Sequence, residues 1–225
     1  VLRTDKEDPA SNEEAIAIWH IAVKDSDPAK VGRAFSNAVT ELALASIPGY
    51  FGIGGGPSAG RSFGIFEPAR ISASAVPQEV AFWGGDTHQI DSVIPYAPTN
   101  VTARPGPSSA APSGPTSRAP IGAVVGARSG DKGGNANLGV FTRDDAAWAW
   151  LDETLTTERL KELLPEVAQF QVDRHRLPNL RSLNFVVHGI LEEGVAAATR
   201  QDGQAKSLGE WLRAKIVEVP ESLLS

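Results

Sequence analysis

The sequence predicts an α/β protein of the α+β kind, built as two domains, the second a two-layer α/β sandwich. Three observations predict it. Apolar runs of strand length alternate with helical patterns that carry their own start and stop residues. The interval 97–119 holds five Pro, four Ser, three Thr and two Gly, with no aromatic and no acid, and divides the chain. The 225 residues are 41% hydrophobic, enough for one large core or two small ones.

Element by element, Ala15–Val23 is a dense apolar run with β-branched residues and reads as a buried strand. Asp27-Pro28 starts a helix, with Asp27 as cap and Pro28 where its missing N–H costs nothing. Val31, Phe35, Val39 and Leu42 share one helical face, and Pro48-Gly49 ends the pattern near Ser46. Phe51–Pro57 reads as a loop. Short strands are expected over Ser62–Phe66, Ala69–Ala75, Glu79–Phe82 and Thr87–Ile94, with Gly84-Gly85-Asp86 as a hairpin turn. We place one domain over 1–96, a flexible linker over 97–119, and the second domain over 120–225.

The second domain opens with a strand, Ile121–Ala127, a glycine-rich loop, and a strand, Leu138–Thr142. Asp144–Leu151 reads as a short helix carrying Trp148 and Trp150. Thr156 caps a helix that Pro165 ends. Phe170–Leu177 alternates as a strand, Pro178-Asn179 breaks it, and Asn184–Leu191 is a further apolar run. Gly194–Thr199 is a weaker strand candidate. Ser207 caps a last helix before a strand over Lys215–Val219.

The formal net charge is 21 − 27 = −6. General nucleic-acid binding, which needs a basic face, is not expected. The chain has no cysteine, which excludes disulfides, thiolate catalysis and cysteine zinc sites. No apolar stretch reaches the roughly 18–20 residues of a membrane span, and no signal peptide opens the chain. We expect a cytoplasmic protein without membrane contact. The chain lacks methionine and begins at Val1, so a trimmed or partial product is expected, with Val1–Asn12 a tail or a severed connection.

Chemistry concentrates in Gly126–Gly139, Gly-Ala-Arg-Ser-Gly-Asp-Lys-Gly-Gly-Asn-Ala-Asn-Leu-Gly. Lys132 is followed by Gly, so this is not a Walker A loop, and the glycines miss the G-x-G-x-x-G spacing. Backbone donors at Gly130 and Gly133, with Arg128, Ser129, Asn135 and Asn137, suit a carboxylate or phosphate. Asp131 and Lys132 are the candidate acid–base pair. The bland alternative is a tight connection in which Asp131 pairs with Lys132 or Arg128. Asn184 opens a buried run and is expected to brace the loop; Lys206 reads first as a solvated lysine of the turn before the last helix, with reach to the same site as the alternative. Ser129 as a nucleophile would need His175 or His188 as base, and it lacks the G-x-S-x-G elbow. His20 and His188 sit in apolar runs and read as core histidines; no histidine pair has helical metal spacing.

Arg128–Gly139, Leu177-Pro-Asn-Leu180, Leu183-Asn-Phe-Val186 and Asp202…Ala205-Lys206-Ser207 resemble the acyclic terpene utilisation (AtuA-like) family. So do Lys30–Phe35 and Glu41–Ser46 followed by Pro48-Gly49. The resemblance implies the end of a larger N-terminal domain over 1–96 and a small ferredoxin-like C-terminal domain over 120–225. It also implies a role in breakdown of acyclic terpenes or branched acyl-CoA compounds. The sequence departs from that pattern at His175, where a Tyr is expected, and at Glu192, where a Gly is expected. The resulting expectation is a protein that binds an anionic acyl-CoA or carboxylate, with a hydratase, lyase or isomerase step. No resident cofactor or metal is indicated, and a CoA thioester enters as substrate. The partners expected are a second copy of the chain and an N-terminal portion of the same protein. The alternatives are an assembly module that pairs with a carboxylase or with itself, with the Trp148 and Trp150 helix as an anchor unless those tryptophans are buried, and a phosphate-ester hydrolase.

Overall fold

A computed structural model describes residues 3–42, 45, 47–53, 59–91 and 110–224. The expected linker residues 97–109, the strand end at 92–94, part of the 51–57 loop and the helix end at 43, 44 and 46 lie outside the described residues. The chain divides into two compact units. The first comprises Val1–Gly64 with Ala196–Gly203, and the second Ile65–Val195 with Gln204–Ser225.

In the first unit, helices α1 (Pro28–Val31) and α2 (Arg33–Leu42) fill the predicted helical pattern. Asp27 accepts a hydrogen bond from the Ala29 N–H at 2.9 Å, so the start signal works as predicted. The pattern is broken once, at Gly32. The predicted strand 15–23 does not form. Its residues make one isolated bridge, Ile18 with Arg3, and Trp19 is 67% exposed. An apolar run becomes a strand only where another strand supplies its hydrogen bonds, which this run does not find among the described residues.

The second unit begins with hairpin β1 (Gln78–Ala81) and β2 (Thr87–Ile90), turned at the predicted glycines. Both strands are exposed throughout. Neither Ser62–Phe66 nor Ala69–Ala75 is a strand; the latter holds only a short 3-10 turn. Strand β3 (Thr116–Pro120) follows and pairs with the final strand β8 (Ile216–Pro220). The last residues of the expected linker are therefore sheet. Local composition there is Pro- and Ser-rich, and the strand exists because β8 pairs with it.

The main sheet holds β4 (Gly126–Lys132), β5 (Asn135–Phe141), β6 (Val172–Leu177) and β7 (Ser182–Val187) in the order β4-β5-β7-β6, all antiparallel. Helices α3 (Asp145–Thr154) and α4 (Thr157–Leu163) connect β5 to β6, and α5 (Leu208–Arg213) precedes β8. The predicted caps operate: Asp144 accepts from the Ala147 N–H at 2.8 Å and Thr156 from the Arg159 N–H at 3.1 Å. Alternate residues of the two central strands, Ala136, Leu138 and Val140 with Leu183, Phe185 and Val187, are fully buried. They pack with Trp148, Leu151, Leu160, Leu208 and Leu212 from the helices. This is the predicted two-layer α+β sandwich. Trp148 and Trp150 are 3% and 5% exposed, so they are core residues and not a surface anchor. Gly194–Thr199 forms turns in place of the predicted strand.

An ion-pair cluster ties β6 to α3. Arg174 donates to the Leu155 carbonyl at 3.0 Å and the Asp152 carbonyl at 2.6 Å, capping the end of α3. Asp152 Oδ1 accepts from Arg174 at 2.8 Å, and the Arg176 fork grips both oxygens of the same carboxylate. The Arg176 hydrogen bond, opposed by burial and aided by Arg174, holds the Asp152 carboxyl below its usual range.

Candidate functional site

The glycine-rich segment is a β-hairpin and not a loop. Residues 126–132 pair with 135–141 across a two-residue turn, Gly133-Gly134. Gly133 has φ 63° and Gly134 does not have positive φ, the pattern of a type II′ turn, whose twist matches the strands it joins. A Cβ on Gly134 would lie 2.2 Å from the Glu192 carbonyl oxygen. The 189–194 turn thus presses directly on the hairpin tip, where the Leu191 N–H donates to the Gly134 carbonyl at 2.9 Å. The Gly189 N–H donates to Asn135 Oδ1 at 2.9 Å. Glu192, where the resemblance leads us to expect Gly, has positive φ, 55°.

Because the segment is extended, side chains alternate between faces, and the pleat divides the predicted residues. Ser129 lies opposite Leu138 and Asp131 opposite Ala136, so both point to the helix-covered face. Arg128, Gly130 and Lys132 lie opposite Gly139, Asn137 and Asn135 on the other, open face. Asp131 and Lys132, taken as a pair from their adjacency, are on opposite sides of the strand. The Lys132 ammonium donates to the Asp131 backbone carbonyl at 3.3 Å.

On the helix side, Ser129 Oγ accepts from the Gly209 N–H at 2.9 Å and donates to the Lys206 carbonyl at 3.4 Å. Ser207, the predicted cap of α5, makes no side-chain cap bond. Ser129, from β4, supplies that cap. Ser129→Ala is therefore expected to lower unfolding stability by about 1 kcal/mol, measured by urea denaturation; an unchanged midpoint would remove this role.

The open face forms a lattice of cross-strand rows. One row runs Arg128, Gly139, Asn184, His175, and the next runs Gly130, Asn137, Val186, Asp173. At the centre, Asn137 and Asn184 exchange reciprocal hydrogen bonds at 2.8 and 3.0 Å. The expected bracing role of Asn184 is thus a side-chain pair between β5 and β7. Such a pair uses one N–H and one carbonyl lone pair of each amide, so each keeps a second N–H for a ligand or water. At one side of the sheet, the Lys206 ammonium lies 4.0 Å from Asp131 Oδ1. It is 3.2 Å from where a Gly130 Cβ would stand. The amine sits at the edge of β4, and a Cβ at 130 would make it shift by a few tenths of an ångström.

At the other side, His188 Nε2 is 2.7 Å from Asp173 Oδ2. This bond, with one from the Gln171 amide, holds the Asp173 carboxyl below its usual range. His188 is not a core residue: its side chain is 36% exposed. His20 is exposed too, and His88 packs edge-on against Phe82 at 5.9 Å. The sequence did hold a signal for His188. The run Leu183-Asn-Phe-Val-Val-His188 alternates, and carrying the alternation one step past Val187 puts His188 on the face of Asn184 and Val186. No sequence pattern pairs it with Asp173, fifteen residues away on another strand. Among the described residues no group of three or more His, Asp or Glu could hold a metal ion. Among them no helix is long and apolar enough to cross a membrane.

Residues 119–218 match the family model of the AtuA ferredoxin-like domain. No curated protein and no solved structure matches the chain. Within the matched span, β5, the α3–α4 pair, β6, β7, α5 and β8 follow the β-α-β-β-α-β succession of ferredoxin-like folds. Here β4 pairs beside β5 as an edge strand, and β8 pairs with β3.

Proposed function

Since residues 119–218 carry an AtuA ferredoxin-like domain, we propose that its open sheet face binds the anionic group of an acyl-CoA or carboxylate in acyclic terpene or branched-acid breakdown. The observation that carries this reading is the Lys206 ammonium at the Gly130 edge of β4, with Arg128 on the open face of the same strand. Two cations beside a floor of glycine and amides suit an anion of modest size. Lys132, Asn135 and the amides of Asn137 and Asn184 extend the donor set. In this reading Asp131 orients Lys206 rather than Lys132, and Ser129 holds α5 so that Lys206 is delivered to the edge of β4. A hydratase, lyase or isomerase step needs only such polar and acid–base groups.

The test is NMR titration of the full chain with CoA and, separately, with 3-methylbutanoate. We expect shifts at Gly130 and Asn137, and about tenfold weaker binding on Arg128→Ala or Lys206→Gln, close to 1.4 kcal/mol. No binding, or binding indifferent to both substitutions, would sink the proposal.

A second reading, self-association, is favoured by a different observation. Phe66, Ile71, Phe82 and Trp83 of the second unit are 73%, 72%, 62% and 105% exposed. Apolar side chains exposed in such number suit a protein partner, here a second copy. Light scattering after size exclusion is expected to give a dimer or larger species; a monomer at all concentrations would remove this reading.

A further inference from the structure

The opposite side of the open face holds a group that anion binding does not use. His188 and Asp173 form an imidazole–carboxylate pair at 2.7 Å, the partners 36% and 43% exposed. Asp173 is fixed in turn by the Gln171 amide at 3.2 Å. With Nε2 committed to the carboxylate, the imidazole presents Nδ1, the orientation that lets a neutral histidine accept a proton. His175 stands on β6 beside Asp173, directly opposite Asn184. The paired amides of Asn137 and Asn184 lie between this dyad and the Arg128–Lys206 edge. Two strand spacings and four residues along the strand separate Arg128 from His188, roughly 16 Å.

That arrangement fits an elongated thioester better than a compact carboxylate. A phosphopantetheine arm has a phosphate at one end, two amide groups along its length, and the thioester at the other. We infer that the face binds an acyl-CoA along this line and that His188, positioned by Asp173, removes a proton from the carbon next to the thioester carbonyl. This inference rests on the anion-binding reading above and deepens it. The phosphate lies at Arg128 and Lys206, the arm amides at Asn137 and Asn184, and the thioester at the dyad. In the step, the Cα–H bond breaks and its proton forms an N–H bond at His188 Nδ1. The electron pair delocalises into the thioester carbonyl as an enolate. Return of a proton from the imidazolium to Cα restores the thioester, so in heavy water the net result is exchange of the α-hydrogen for deuterium with no co-reactant.

The experiment follows the α-CH2 signal of 3-methylbutanoyl-CoA in heavy water with the full chain, beside CoA binding in the same samples. Wild type is expected to exchange the signal. His188→Gln is expected to slow exchange by about a hundredfold while keeping CoA affinity within twofold. Asp173→Asn is expected to lower the exchange rate at saturation with an unchanged half-saturating concentration, the split that distinguishes positioning from binding or folding. Should His188→Gln fail to bind CoA, Asp173→Asn decides alone. Bound thioester without exchange, or exchange untouched by either substitution, overturns the role of the dyad and leaves the anion site standing. Absence of any CoA binding overturns both.

Discussion

Gly134→Ala is expected to cost the C-terminal unit about 3 kcal/mol, through overpacking and lost hydrogen bonds. The added methyl would meet the Glu192 carbonyl oxygen at 2.2 Å, and that atom is backbone, so no side chain can swing aside. The 189–194 turn must retreat. Retreat breaks the Leu191 to Gly134 and Gly189 to Asn135 bonds and disturbs Ile190 and Leu191, 3% and 0% exposed. For a unit of this size the melting temperature should fall by roughly 10 °C or more. Gly133→Ala is the control. Gly133 needs positive φ, but a Cβ there meets nothing within 4 Å. Its cost is the positive-φ backbone alone, about 1–2 kcal/mol. Calorimetry on both variants checks the pair; equal melting temperatures would mean that the turn does not dock on the hairpin tip.

Asp152→Ala should cost about 2–3 kcal/mol, because it leaves two guanidinium groups facing a lost acceptor, one of them largely buried. The Arg174 and Asp152 side chains are 19% and 17% exposed, while that of Arg176 is 57% exposed. Arg174 also caps the end of α3, so its displacement reaches the helix that carries Trp148, Trp150 and Leu151. The pH dependence has a defined sign. The folded-state carboxyl is held below its usual range. Its contribution is therefore complete above the unfolded value near 3.9 and is lost as pH falls through the folded value. Urea midpoints between pH 7 and pH 3 should fall more steeply for wild type than for Asp152→Ala. Parallel curves would show that the cluster adds no linked stability.

Helices were the most legible part of the chain, because their signals are local. Asp27, Asp144 and Thr156 each cap the helix that they precede, and each acts within three residues of itself. Strands were legible at Val172–Leu177, only in part at Ser182–Val187 and Asn135–Phe141, and not at Gly126–Lys132, where a strand was expected over 121–127 and a loop after it. They were misread at 15–23, 62–66 and 69–75, and missed at 116–120. A strand depends on a partner, and an apolar run does not carry the identity of that partner. The predicted site residues are divided by the pleat. Arg128, Gly130, Lys132, Asn135 and Asn137 share the open face, while Ser129 and Asp131 turn to the helices. Reading the segment as a loop hid this, since only an extended strand imposes a two-residue alternation.

The sequence by itself determined the α+β class, the sandwich of its C-terminal part, the resemblance at Arg128–Gly139, and the capped helices. All of these follow from residue type at short spacing. Tertiary structure alone decided which residues meet. It brought Lys206 to Gly130, Asn184 to Asn137, His188 to Asp173, and Ser129 to the start of α5. Those pairings depend on strand register and sheet order, which are set by burying Leu138, Val140, Leu183 and Phe185 together. Each apolar residue needs only to be covered, so no single residue names its partner; the register that covers all of them at once does.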